Sequence, residues 1–304
     1  MTVSRLGLGL ASIGGLFAPV PEPQALATVD HAWDLGVRLY DTAPVYGYGR
    51  SEQYAGRSLA ARPRAEFVLC TKVGRLIEPG GPDTQPIWAD PPSGLGPRLD
   101  YSYAGVRRSV DASLDRLGTD RIDVLHVHDP DQDFPAAVTG AYRALAELRA
   151  EGTIAAVSIG VNHADVAARF LREAAAPGPD CVLLAGRYTL LDQSGLADLL
   201  PLCHRRGVSV IAAGVYQGGL LTGRDDPRVQ AWQALCDRHD VPLPAVALRF
   251  PFAHPAVDAA VVGARSPREI ADSMAWLSRP VPPALWHDAK RAGLLAEDVP
   301  AATA

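Results

Sequence analysis

Eight short apolar runs, spaced along the chain with amphipathic stretches between them, constrain this sequence more than any other feature. They read "RLGLGLA", "VRLYD", "FVLCTKV", "IDVLHVH", "AAVSIGV", "CVLLAG", "VSVIAAG" and "AAVVGA". Almost every position in them is apolar, as a parallel strand covered on both faces requires; a half-exposed strand would alternate. The stretches between carry apolar residues at helical spacing, for example Ala25 to Leu35, Val106 to Leu117, Ala136 to Leu148, Leu196 to Cys203 and Val229 to Cys236. Strand then helix, eight times in 304 residues with no linker, predicts a single-domain α/β fold, a (β/α)8 TIM barrel over residues 1–304. A doubly wound sheet would show a glycine fingerprint after its first strand, and Gly7, Gly9, Gly14 and Gly15 have the wrong spacing for it.

Two segments fall outside this repeat. From Gly74 to Asp100 the chain is too rich in Pro and Gly for helix or strand, and its length after a barrel strand predicts a substrate lid loop. Beyond Arg279 one short helix is expected around Leu285 to Leu294, followed by a frayed tail at about 296–304. The net charge of −5, with no Lys/Arg block, argues against nucleic acid or a polybasic membrane anchor and for a small-molecule partner. No run reaches the length of a membrane span, and the N-terminus lacks the pattern of a signal peptide. Cys70, Cys181, Cys203 and Cys236 are widely separated with no metal-ligand spacing, and read as reduced core or near-surface thiols. A cytoplasmic chain without a bound metal, monomeric or weakly homo-oligomeric, is the expectation.

In a barrel the C-terminal ends of the strands face one shared mouth, so polar residues that interrupt those ends belong together. The second run ends at Asp41 with Tyr46 just beyond; the third carries Lys72; the fourth ends in His126 and His128, of which His126 is assigned to structure. Taken singly, Asp41 reads as a turn cap and Tyr46 as packing; at the same end of three adjacent strands they read as a site. A phenol is a poor proton donor or acceptor near neutrality unless a neighbouring ammonium stabilises its phenolate, as Lys72 would for Tyr46. A buried ammonium needs a carboxylate, which Asp41 supplies. His128 would hold a carbonyl or hydroxyl oxygen beside Tyr46. Such a group suits proton transfer at an oxygen whose carbon gains or loses hydride, and the hydride must come from a cofactor.

The blocks "YDTAPVYGYGRSEQYAGRSL", "CTKVGR", "DYSYAGVRRSVDASLDRLGTDRIDVLHVHDPD", "GRYTLLDQ", "GGLLTG" and "VVGARSPREI" resemble those of the aldo-keto reductase family, in its order and over nearly the whole chain. Within it, "DYSYAGVRRSVDASL", "HDPD" and "GRYTLLDQ" are most similar to the branch of aldose 1-dehydrogenases acting on L-fucose, D-arabinose and similar sugars. The resemblance implies that Asp41, Tyr46, Lys72 and His128 are the catalytic four, with Tyr46 the acid/base. It implies NADP(H), or NAD(H), stretched over the mouth. Arg265 and Ser266 of "GARSPREI" would meet a ribose 2′-phosphate at a helix N-terminus, with Gly263, Gly218 and Leu220 nearby; Arg268 would either help or be solvated. Against the family pattern, the fifth strand leaves Ser158 or Asn162 to hold the nicotinamide amide, the sixth leaves Arg187, and the seventh leaves Tyr216 a few residues past the position where a tyrosine stacks on the nicotinamide. Trp88 in the lid is either a wall for sugar stacking or a packed structural residue.

The activity this implies is oxidation of a sugar lactol to a lactone. The alternatives are a general aldehyde or ketone reductase, including pyridoxal, and a cofactor-binding regulatory barrel without turnover. A glycoside hydrolase would need two strand-end carboxylates flanking the bond, and Asp41 beside Lys72 is poorly placed for that.

Overall fold

The computed structural model describes residues 4–223 and 226–301. Each apolar run forms a strand: β1 (Leu6–Gly9), β2 (Leu39–Asp41), β3 (Val68–Val73), β6 (Ile122–His128), β7 (Ile154–Val161), β8 (Cys181–Ala185), β9 (Ser209–Ala213) and β10 (Val257–Gly263). All eight pair in parallel and close in the order β1-β10-β9-β8-β7-β6-β3-β2. The chain is thus a TIM barrel. The two strands omitted from that count, β4 (Arg75–Pro79) and β5 (Leu95–Leu99), form an antiparallel ribbon within the segment expected to be irregular. A two-stranded ribbon leaves its outer N–H groups unpaired, so Pro79 and Pro97 are tolerated where a central strand would reject them.

The surrounding helices are α1 (Glu22–Asp34), α2 (Arg50–Leu59), α3 (Tyr103–Leu117), α4 (Phe134–Ala136), α5 (Tyr142–Ala150), α6 (Ala164–Glu173), α7 (Leu199–Arg206), α8 (Pro227–Arg238), α9 (Leu243–Arg249), α10 (Pro267–Ser278) and α11 (Pro283–Arg291). A π-helical turn, Ala137–Ala141, joins α4 to α5. α2, "RSEQYAGRSL", packs Tyr54, Ala55 and Leu59 into the core and anchors through a charge as well. Glu52 is fully buried; it accepts from the Thr71 hydroxyl at 2.6 Å and from Arg116 Nε at 2.6 Å, tying α2 to β3 and α3.

Side chains of alternate strand residues make two cores. One faces outward to the helices, with Leu8, Tyr40, Leu69, Leu125 and Val157 in it. The other fills the barrel with Leu39, Val68, Cys70, Val124, Cys181, Leu183, Ile211, Ala259 and Val261. All four cysteines are buried. Val299, at 3 % exposure, is packed in the core, so the tail expected to fray is anchored as far as this residue; 302–304 lie outside the described residues.

The excursion after β3 starts at Gly74, whose φ is +108°, and a Cβ there would lie 2.2 Å from the Tyr101 ring. That ring's hydroxyl hydrogen is shared between the carbonyls of His128 and Asp129. Gly74→Ala is therefore expected to destabilise the protein by about 2 kcal/mol or more, through strain at positive φ and displacement of Tyr101. Urea denaturation of the two proteins measures it.

Candidate active site

β2, β3 and β6 each deliver one end of the site. Register pairs Asp41 with Cys70, and Lys72 with His126 and through it Ser158. Lys72 and Asp41 are 1 % and 4 % exposed, and the Lys72 ammonium donates to both Asp41 oxygens at 2.7 Å and to the Thr42 carbonyl at 2.9 Å. Burial works against the Lys72 charge, but the Asp41 carboxylate and the Tyr46 phenol together outweigh it and raise the ammonium above its ordinary value. Burial also opposes ionisation of Asp41, and the Lys72 charge with the His126 hydrogen bond more than offsets it, so the carboxyl is held low.

Asp41, Cys70 and His126 offer ligand atoms within 4.8 Å of one another. The carboxylate is already saturated by an ammonium, and burial, reinforced by the Asp41 charge, pushes the Cys70 thiol up. That donor set is matched to Lys72 and not to a metal ion.

Tyr46 stands above this pair. The turn that carries it needs Gly47 at φ +61°, where a Cβ would come within 2.1 Å of the Gly14 carbonyl oxygen. Lys72 Nζ lies 4.9 Å from the Tyr46 ring centroid, and the His128 ring meets it edge-on at 6.1 Å. Burial pushes the Tyr46 phenol up to about 12, and the Lys72 charge pulls the other way without winning. The expectation that the cation would leave a depressed phenol is thus corrected: it limits the rise. Burial, with the charges of Lys72 and Arg75, drives His128 well below its usual value, so the imidazole is neutral. A neutral imidazole beside a protonated phenol can hold an oxygen and exchange one proton with it.

The mouth is a cavity of about 480 Å³ lined by Tyr46, Lys72 and His128, together with Trp88, Arg75, Gln85, Asp129 and Asn162. Gln85, Pro86, Ile87 and Trp88, between β4 and β5, line one part of it. Ala89 N–H donates to the Gly15 carbonyl and Phe17 N–H to the Ile87 carbonyl, while Trp88 stacks at 5.3 Å on Tyr46 and donates its indole N–H to Gln85. Trp88 is therefore both packed and a wall. A separate cavity of about 270 Å³, between α2 and the end of α3, contains none of the strand-end residues.

Two expected contacts are corrected. Ser158 is fully buried inside the barrel, with its hydroxyl 2.7 Å from His126 Nδ1, because the register sets it level with Lys72 and below the mouth. Tyr216 turns to the helical layer, its ring edge-on to Trp276 of α10 at 5.9 Å. Asn162 is exposed at the rim; Arg187 donates to its carbonyl at 2.6 Å and pairs with Asp192 at 2.8 Å. Gly218 and Leu220 lie in the 3-10 turn Gln217–Thr222 beyond β9. Gly263 ends β10, and Ser266 caps α10 by accepting from Glu269 N–H at 3.3 Å. Arg265 donates to the Leu16 carbonyl at 3.2 Å and keeps a buried Nε without a partner, a donor available to an anionic group over the mouth. Arg268 is solvated, with 91 % of its side chain exposed.

Arg75, Asp129 and Gln85 line the same mouth and did not stand out in the sequence. The first two obey the rule that picked out Asp41, Tyr46, Lys72 and His128, since Arg75 follows β3 after a single Gly and Asp129 follows β6 directly. Among the described residues no helix is long and apolar enough to cross a membrane.

The buried pair sets a stability expectation. Asp41→Ala strands the Lys72 ammonium, at an expected cost of about 3–5 kcal/mol in chemical denaturation. Because the Asp41 carboxyl is lowered in the fold, its contribution is present above the ordinary carboxylate range and is lost as pH falls through the lowered value. The difference in stability between wild type and Asp41→Ala should accordingly shrink on acidification; a gap independent of pH would refute the pairing.

Residues 5–291 match the model of the aldo/keto reductase family. The chain is 37% identical over 318 residues to a D-threo-aldose 1-dehydrogenase of a Pseudomonas species and 39% identical over 330 residues to a pyridoxal 4-dehydrogenase of Microbacterium luteolum, covering in each case 97% of this chain and 95% of the relative. A solved aldo-keto reductase of Bacillus halodurans in its holo form superposes with a TM-score of 0.76 at 26% identity, over 98% of this chain and 94% of that one. With a closed parallel barrel and these matches over nearly its full length, the chain belongs to the aldo/keto reductase family and is an oxidoreductase.

Proposed function

We propose that the protein is a nicotinamide-dinucleotide-dependent aldose 1-dehydrogenase that oxidises the lactol of L-fucose, D-arabinose or a similar sugar to its lactone. The observation that carries the reading is the phenol of Tyr46 at the mouth, between the Lys72 ammonium below and the neutral imidazole of His128 beside it. The D-threo-aldose specificity in the name of the relative at 37% identity supports the sugar class. An aromatic ring, Trp88, and the polar Arg75 and Asp129 in one cavity support it too, since a pyranose has one apolar face and a rim of hydroxyls.

When bound, the dinucleotide supplies the hydride acceptor for oxidation or the donor for reduction. Arg265, with its unpartnered Nε, and Ser266 at the N-terminus of α10 would hold its adenosine phosphate end, and Asn162 at the rim its nicotinamide end. NADP(H) is the dinucleotide we favour, because Arg265 offers a cation to a 2′-phosphate; the Glu269 carboxylate accepts from Arg265 N–H in the same turn, so NAD(H) belongs in the same titration. In the oxidative direction His128 holds the anomeric oxygen, and Tyr46 takes the hydroxyl proton while the anomeric carbon gives up hydride. In the reductive direction Tyr46 returns that proton to a carbonyl oxygen. Asp41 keeps Lys72 charged throughout.

A second reading, reduction or oxidation of pyridoxal and other aldehydes, is favoured by the relative at 39% identity. Initial rates on L-fucose with oxidised dinucleotide against pyridoxal with reduced dinucleotide separate the two.

Tyr46→Phe is expected to retain dinucleotide affinity, read by fluorescence titration, and to lose turnover by roughly a hundredfold or more; equal activity in that variant would defeat the mechanism. Oxidation requires the phenolate and the phenol is raised to about 12. Its kcat/KM should therefore climb roughly tenfold per pH unit through the alkaline range, while reduction, which uses the protonated phenol, stays level. Opposite slopes would exclude Tyr46 as the titrating group.

A further inference from the structure

Asp129 is held in place by more than its own conformational preference requires. Its backbone adopts φ +45°, in the left-handed region that a non-glycine residue avoids. Two contacts hold it there: its N–H donates to the Gly160 carbonyl at 2.9 Å, and its carbonyl shares the Tyr101 hydroxyl hydrogen. The result aims the carboxylate into the mouth, where it meets Arg75 Nη2 at 3.2 Å. Arg75, with 12 % of its side chain exposed, has a buried Nε without a hydrogen-bond partner. Both residues line the same cavity as Tyr46 and His128.

The spacing within this group matters most. Asp129 Oδ2 lies 3.7 Å from His128 Nε2. Where the imidazole holds the oxygen on the reacting carbon, a hydroxyl on the neighbouring carbon comes within reach of Asp129. A carboxylate accepts from such a hydroxyl, and the free Arg75 Nε–H donates to an oxygen beside it.

We propose that Arg75 and Asp129 form a hydroxyl-reading subsite that takes the oxygen on the carbon next to the anomeric centre of an aldose. This rests on the aldose reading above and adds the position recognised. Charge-assisted hydrogen bonds are the strong ones, so the bond from that hydroxyl to the half-buried Asp129 carboxylate discriminates against sugars lacking it.

The test compares D-arabinose with 2-deoxy-D-ribose, which differs from it only by the missing C2 hydroxyl, using whichever dinucleotide binds. Wild type is expected to prefer D-arabinose by about tenfold to a hundredfold in kcat/KM. In Asp129→Ala and in Arg75→Met the preference collapses to within about threefold, because activity on D-arabinose falls far more than activity on the deoxy sugar. Circular dichroism checks the fold of each variant; if Asp129→Ala does not fold, the near-isosteric Asp129→Leu, which has no acceptor, takes its place with the same expected collapse. A wild type without the preference, a preference that survives in both variants, or an equal loss on both sugars overturns the subsite while leaving the aldose reading intact. Turnover of pyridoxal but of no sugar, by wild type with either dinucleotide, overturns the aldose reading and the subsite together.

Discussion

A single ammonium inside a barrel of hydrocarbon organises everything at the mouth. Moving such a charge out of water costs several kcal/mol, so Lys72 survives there only because both oxygens of Asp41 and the carbonyl of Thr42 accept from it. The pair then acts on its neighbours through its charge and through hydrogen bonds to Tyr46 and His126. Burial, with the ammonium's charge adding to it, keeps both nearby imidazoles from taking up a proton, and the same charge moderates the rise of the Tyr46 phenol. Below it, His126 stands 3.3 Å from Asp41 and is tied to Ser158, which fixes the carboxylate from the side opposite to the mouth.

The second constraint is the ribbon after β3. A connection of this length would expose backbone to water if left irregular; pairing β4 with β5 satisfies it, and main-chain bonds to Gly15 and Phe17 fasten its tip over β1. The cavity that results joins the Trp88 ring to the charged Arg75, at the start of the ribbon, and Asp129, after β6. That combination, rather than any one residue, would suit a molecule with one apolar face and one hydroxylated edge.

Much of this was readable in the chain. The eight runs match the eight barrel strands because a strand buried on both faces has to be apolar throughout, and that signal is local. Asp41, Tyr46, Lys72 and His128 stood out for a related reason: each is polar at the end of such a run. Ser158 and Tyr216 misled for the converse reason. Ser158 lies mid-strand in β7, where register sets it level with Lys72, and Tyr216 lies beyond β9, where packing on Trp276 turns it to the helices. The ribbon was misjudged because Pro and Gly exclude a central strand and do not exclude an edge one.

By itself the sequence determined the architecture and the chemical types available to the site, since hydrophobic period and residue identity are properties of the chain. Only the closed tertiary structure decided how those groups behave. Burial turned the Tyr46 phenol upward where proximity to a cation alone would have lowered it. Likewise, Arg75 and Asp129 became partners only when the ribbon after β3 and the turn after β6 were brought to the same side of the mouth. Desolvation and convergence depend on what surrounds a residue in space, and that is settled by folding.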